Sequence, residues 1–280
     1  MVNFLHRYIE GNTQEMILAG YLAAILIGVS LGLLGAGGSI LTVPILVYFL
    51  GIAPVLATGY SLFIIGVSSC IGAVGYMKKK MLDYKIALTF GIPSLITVFL
   101  TRHFLLPSIP QILFTLFQVE FTKDKAMMIL LSLLMFTASL SMIRKDKISK
   151  KEDTEPISKK DYLFIVLKGL LVGLITGMVG VGSGFLIVPA LILLNHMHMK
   201  KAVGTSLLII AGNSLVGFAG DLSIGIELDW KILLLFSGLS TIGIFIGMYA
   251  SRFIPEVRLK PAFGWFILLM GVFIIFKEIY

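Results

Sequence analysis

Charge is scarce in this chain. Only 14% of its 280 residues are Asp, Glu, Lys or Arg, against 58% apolar, and the mean hydropathy is +0.99. So little polar surface cannot cover a water-soluble globule of this length, which makes an integral membrane protein the expected class. Cysteine is scarcer still. Cys70 stands alone, so no internal disulfide is possible and the redox compartment stays open; within an apolar run it reads as a small buried hydrophobe. The start of the chain lacks a charged segment followed by a short apolar stretch and a small-residue cleavage site, so no removable signal peptide is expected. The 15 acidic residues fall in loops or near the ends of apolar runs, leaving no carboxylate as a central proton relay or sodium ligand. Lys168 reads as the one charge clearly inside a span, close enough to an end to snorkel. No nucleophile, base and acid form a catalytic set. His196 and His198 are two apart with no acid or cysteine beside them, so neither a metal nor a cofactor is expected.

What is abundant is apolar sequence in long runs. Full-length spans are expected at about 16–34, 55–76, 84–106, 125–143, 162–180, 201–220, 231–251 and 259–277. Helices are the expected spanning elements, because a bilayer offers no partner to an unpaired backbone group. Two shorter apolar stretches, 39–51 and 184–195, reach only about 20 Å at 1.5 Å per residue. Each is a short or broken helix. The net charge of +8 crowds into loops beside the spans, which fits membrane orientation better than nucleic-acid binding.

The chain also repeats itself. Gly28, Gly32, Gly35, Gly37, Gly38, Ser39 and Pro44 recur about 145 residues later as Gly173, Gly177, Gly180, Gly182, Ser183, Gly184 and Pro189, the sign of a duplicated unit. Ala57, Gly59, Ser61 and Leu62 pair likewise with Ala202, Gly204, Ser206 and Leu207; Asp83-Tyr84-Lys85 pairs with Asp229-Trp230-Lys231. Two membrane repeats are expected, 1–143 and 161–280, joined by a solvated, charged linker at 144–160.

Loop charge sets their relation. The linker and the loop with Lys78, Lys79, Lys80 and Lys85 read as cytoplasmic, whereas the equivalent loop of the second half, with Asp221, Glu227 and Asp229, reads as external. Reaching Asp221 from the linker takes an odd number of crossings, so the short segment counts as one. The expected fold is an all-α membrane protein of two inverted repeats, each with four full spans and one short broken helix, and with both termini outside. The alternative is four spans per half with re-entrant segments and parallel repeats.

Gly28-x-x-x-Gly32, Gly173-x-x-x-Gly177 and Gly243-x-x-x-Gly247 have the spacing of close helix packing. The denser runs, Gly35 to Ser39 and Gly180 to Gly184, break a helix instead. A helix restarting after such a break presents free N–H groups and partial positive charge, which suits an anion. The candidate substrate-binding residues are therefore Gly35, Gly37, Gly38, Ser39, Gly180, Gly182, Ser183 and Gly184, with Ser61, Ser206 and Asn213 as hydroxyl and amide donors at depth. Asn213 holds the repeat position of Ser68. A dinucleotide fingerprint is excluded, since Ile40 and Phe185 stand where its third glycine is required.

In these paired segments, Gly32 to Pro44 with Gly177 to Pro189, and in the paired Ala57 to Leu62 and Asp83 to Lys85 stretches, the chain resembles the sulfite exporter TauE/SafE family, an anion permease family that includes toluenesulfonate uptake proteins. Ser183, where the first copy has Gly38, and the charged linker are departures. The resemblance implies a multi-pass permease of a bacterial or archaeal plasma membrane, moving sulfite, an organosulfonate or a similar anion. A membrane scaffold and an anion channel are the alternatives. The expected partners are the small anionic substrate and the lipid bilayer, with no nucleic acid; oligomeric state is left open.

Overall fold

The computed structural model describes residues 19–34, 38–116, 119–143, 159–180, 184, 187, 188, 191, 199–225, 228–251, 253 and 256–279. Nine helices of twelve residues or more are defined among them: α1 (Ala19–Leu34), α2 (Ser39–Leu50), α3 (Pro54–Lys78), α4 (Tyr84–Leu100), α5 (Lys123–Ile143), α6 (Lys159–Val179), α7 (Met199–Leu222), α8 (Trp230–Ala250) and α9 (Glu256–Ile279). Each of the eight expected spans coincides with one of them. Four are long and apolar enough to cross a membrane: α3, α4 with its extension to Ser108, Lys201–Leu222 of α7, and α8. Gly184, Ile187, Val188 and Leu191, in the second short segment, are helical and buried.

The starts and stops follow local chemistry. Asp83 caps α4 by accepting the Ile86 N–H at 3.2 Å, and Asp229 caps α8 by accepting the Lys231 and Ile232 N–H groups at 2.9 and 3.2 Å. The repeated Asp-aromatic-Lys turn is thus a repeated N-cap. Gly51, at φ 65°, closes α2 with its N–H on the Leu46 carbonyl, the left-handed stop that glycine adopts at little cost. Pro93 interrupts the bonding of α4, and a π-helical turn at Thr101–Leu105 follows. An antiparallel hairpin, β1 (Ile112–Leu116) with β2 (Val119–Thr122), leads into α5. It was not expected from a loop between two spans.

Packing places α3 and α7 at the centre. Buried positions make up 67% and 72% of their most apolar stretches, against 39% in both α4 and α8. The central pair is antiparallel: Gly59 lies against Asp221, Gly66 against Leu215, Gly72 against Leu207 and Gly204 against Tyr76. Around it, α1 packs on α8 through Gly28 and Gly32 at Ser240 and Ile244, while α6 packs on α4 through Gly173 and Gly177 at Ser94 and Thr101. Close packing is therefore the role of these spaced glycines, and of Gly243 and Gly247, which meet Ile25 and Val29.

α2 folds back along α1, because Gly38 abuts Ile27 and Leu31 whereas Leu50 lies against Gly20. Its first eight residues are all buried, so the broken segment is enclosed by protein, as hydrocarbon requires. Outward faces carry Leu26, Leu88, Leu234, Phe245 and Leu269, each more than half exposed, an apolar coat suited to lipid. Cys70 belongs to that coat: it is exposed, and not the buried hydrophobe expected.

Candidate functional site

Small polar residues collect halfway along the central helices. Ser68 and Ser69 of α3, Ser94 of α4, Asn213 and Ser214 of α7, and Ser240 of α8 are all 0% exposed. They fall in repeat-related pairs, Ser68 with Asn213, Ser69 with Ser214 and Ser94 with Ser240. In the second half Asn213 reaches α4 and its Nδ2 donates to Ser94 Oγ at 2.6 Å. One turn further along the same two helices Gly217 meets Val98.

The mirror of that contact is left open. Gly72 meets Ile244, and one turn back along the same two helices stand Ser68 and Ser240. Serine is too short to do what Asn213 does, and both hydroxyls lack a protein partner, as do Ser69 Oγ, Ser214 Oγ, Ser237 Oγ and Asn213 Oδ1. Unpaired polar atoms at such depth are costly. Their concentration at one level makes it the candidate place for a polar guest.

The start of α2 lies at this level too. Gly28 touches Ser240, the middle of α8, and Gly38 packs back onto Ile27 and Leu31 beside it. No side chain caps α2 at Gly38, whose carbonyl accepts the Leu41 N–H at 3.3 Å. Ser39 is buried there, and Gly184 is helical and buried in the second half.

The other sequence candidates separate. Ser61 is buried, without a partner for its hydroxyl, near the Asp221 end of α3, whereas Ser206 donates to the Val203 carbonyl at 2.8 Å near the opposite end of the pair. The register of α3 against α7 sets them about 20 Å apart, so no single cradle uses both. Gly180 ends α6 at φ 69°, against Thr58 and Arg102. Gly35, Gly37, Gly182 and Ser183 lie outside the described residues, as do 144–158 of the expected linker.

Sequence reasoning missed Arg102. It is 0% exposed, turned inward by the π-helical turn, a distortion frequent at functional sites. Its Nη1 donates to both Asp221 oxygens, at 3.2 and 3.0 Å, and to Thr58 Oγ1 at 3.0 Å. The expectation that Lys168 is the one charge inside a span is thereby corrected: position near a span end did not mean solvation, because α3, α6 and α7 close over the pair. Lys123, also buried, donates its Nζ to the Leu106 carbonyl at this end. The signal available was an arginine four residues inside the end of the mostly apolar span 84–106.

The opposite end of the bundle holds a looser contact. Lys201 pairs with Asp83 at 3.0 Å, half exposed. Burial acts to raise the Asp83 carboxyl, but the hydrogen bond from Lys201, backbone N–H donors and the lysine charge together hold it below its ordinary range.

Comparison with known proteins finds membrane transporters. A protein of Xylella fastidiosa (strain 9a5c) named a probable membrane transporter is 27% identical over 256 residues, covering 90% of this chain and 92% of the relative. Probable membrane transporters of Methanocaldococcus jannaschii and Bacillus subtilis (strain 168) are 29% and 30% identical, over 76% and 71% of this chain and 73% and 75% of their own lengths. No solved structure matches the chain. The family model for the sulfite exporter TauE/SafE proteins matches residues 20–274, from the first described helix to the last, and the chain belongs to that family of membrane transporters.

Proposed function

We propose that this protein is a plasma-membrane permease, not an enzyme, for a small sulfur-containing anion such as sulfite or an organosulfonate, with the substrate held between two inverted repeats. The observation that carries the reading is the mid-depth polar level. Ser68 and Ser240 present two unpartnered hydroxyls beside the uncapped start of α2, a set that donates to an oxyanion without a buried cation. On this reading Gly35, Gly37, Gly38 and Ser39 belong to that start and Gly182, Ser183 and Gly184 to its repeat counterpart, while Gly180 stands apart at the Asp221 end; Asn213 braces the opposite side.

Several features support inversion. Equivalent helices α3 and α7 run antiparallel. The Asp229 N–H donates to Tyr60 Oη at 2.7 Å and the Asp83 N–H to Thr205 Oγ1 at 2.9 Å, and these are repeat-equivalent contacts at opposite ends of the bundle. Rocking one repeat against the other then exposes the level to each side in turn. The relatives' names support the general activity, and the family description supports a sulfite-like substrate.

Reconstitution into liposomes tests the proposal. Saturable sulfite or organosulfonate flux is expected in the native protein. Valine at Gly37 or at Gly182 is expected to abolish it, while the protein still inserts. Flux unchanged in both variants, or absent from the native protein with sulfite, thiosulfate, sulfate and sulfonates alike, rejects the permease site; flux that rises linearly without saturation identifies a channel.

A further inference from the structure

The mid-depth level leaves Arg102 without a role, and its geometry is unusual for a structural ion pair. All of its hydrogen bonds to Asp221 and Thr58 leave from Nη1; Nε and Nη2 are buried and have no partner. Those two atoms form the side edge of the guanidinium, the edge whose parallel N–H groups match two oxygens of one oxyanion. A buried pair kept only for stability should be satisfied throughout, since a half-satisfied buried network is worse than an apolar one.

Among the described residues, the surroundings set a glycine backbone, and no side chain, against that edge. Gly180 passes directly over Nη2, where a Cβ would collide with both Nη2 and Thr58, and its φ of 69° favours glycine. Gly220 makes room for the Arg102 Cβ, which a Cβ at 220 would approach to 3.0 Å. Thus two glycines on two helices make space for one arginine. Lys123 adds a second buried positive group at the same end, while Asp124 turns its carboxylate to the Val55 N–H at 3.2 Å.

We infer that the Nε–Nη2 edge of Arg102 is a second oxyanion site, at the Asp221 end of the bundle, where the transported anion is held on its way into or out of the mid-depth level. Asp221 fixes the guanidinium through Nη1 and offsets its charge between visits. Thr58 and the Gly180 turn frame the bound anion. The inference deepens the permease reading and rests on it, since an anion path reaching this end gives the edge its ligand.

The test uses purified full-length protein, with thermal stabilisation by sulfite, thiosulfate and methanesulfonate titrated at constant ionic strength in chloride, beside liposome flux. Native protein should be stabilised saturably by at least one of the three. The neutral pair Arg102→Gln with Asp221→Asn removes both charges together and so guards the fold; size-exclusion behaviour checks it. Its apparent affinity should fall by about tenfold or more, the loss expected for a charge-assisted bidentate contact. Arg102→Lys, which keeps charge and loses the fork, should weaken binding as well. Native affinity and KM in the neutral pair would overturn the site and leave the permease standing. Native binding that depends on Arg102, with no flux for any probe, supports the site and rejects the permease. No stabilisation of the native protein by any of the three overturns the site.

Discussion

Alanine at Gly173 tests whether the spaced glycines hold the helix pairs together. A Cβ there stands 2.5 Å from the Ser94 carbonyl oxygen and 2.9 Å from its Cα, both backbone atoms of α4, so no side chain can swing aside. α6 and α4 must then part by about an ångström, and overpacking of this kind costs about 1–3 kcal/mol. Alanine is the better helix former by about 1 kcal/mol, so the measured loss is smaller than the steric cost. Gly238→Ala isolates that opposing contribution, because a Cβ at Gly238 meets nothing within 4 Å; it should stabilise α8 by up to about 1 kcal/mol. Detergent unfolding followed by the fluorescence of Trp230 and Trp265 should therefore move in opposite directions for the two variants. Gly28→Ala, the repeat equivalent, whose Cβ would overlap the Ser240 carbonyl, should lose at least as much as Gly173→Ala. Equal shifts for Gly173→Ala and Gly238→Ala would refute the packing argument.

Other measurements reach the charges, the polar level and the topology. Asp221→Asn alone strands the buried Arg102 and should cost about 3–5 kcal/mol, more than the neutral pair with Arg102→Gln, a non-additivity read by a double-mutant cycle. Asp83→Asn keeps a capping oxygen and loses only charge; since the folded carboxyl lies below its ordinary value of 3.8, its stability contribution is present above that value and lost as pH falls through the lowered one. For so exposed a pair the difference at neutral pH should stay under about 1 kcal/mol, and a difference that persists in strong acid refutes the assignment. Ser68→Ala should weaken sulfite flux without loss of stability, because its hydroxyl has no protein partner to lose; unchanged KM and rate argue against the mid-depth level. In a Cys70→Ala background, cysteines at Lys79 and Ile224 should be labelled from opposite faces of the membrane, and labelling from one face rejects inversion.

Helix positions were readable because lipid allows one kind of spanning element and apolar length announces it: α3, α4, α7 and α8 sit within a few residues of their expected bounds. The repeated Asp-aromatic-Lys turn was readable as a repeat, though its role as an N-cap needed coordinates. The hairpin before α5 was not readable, since a short loop between spans carries no period long enough to separate strand from coil. The Ser68–Ser240 level was half visible. Asn213 stood out as the strongest polar group at depth, but that its partner would be Ser94 depends on the crossing of α7 with α4, which no local pattern encodes.

Arg102 shows why span-end charges mislead. Hydropathy treats an arginine four residues from the end of a run as bound for the interface, and in an isolated helix that is sound. Here Pro93 and the π-helical turn rotate the end of α4, and Gly180 and Gly220 remove the two side chains that would have pushed Arg102 outward. The glycine that looked from sequence like the start of an anion cradle is thus, at position 180, the roof over a guanidinium. In the second half one end of the glycine break makes room for a cation. On the inverted reading the repeat counterpart of Arg102 is Met248, so the second site we propose has no charged equivalent at the other end of the bundle.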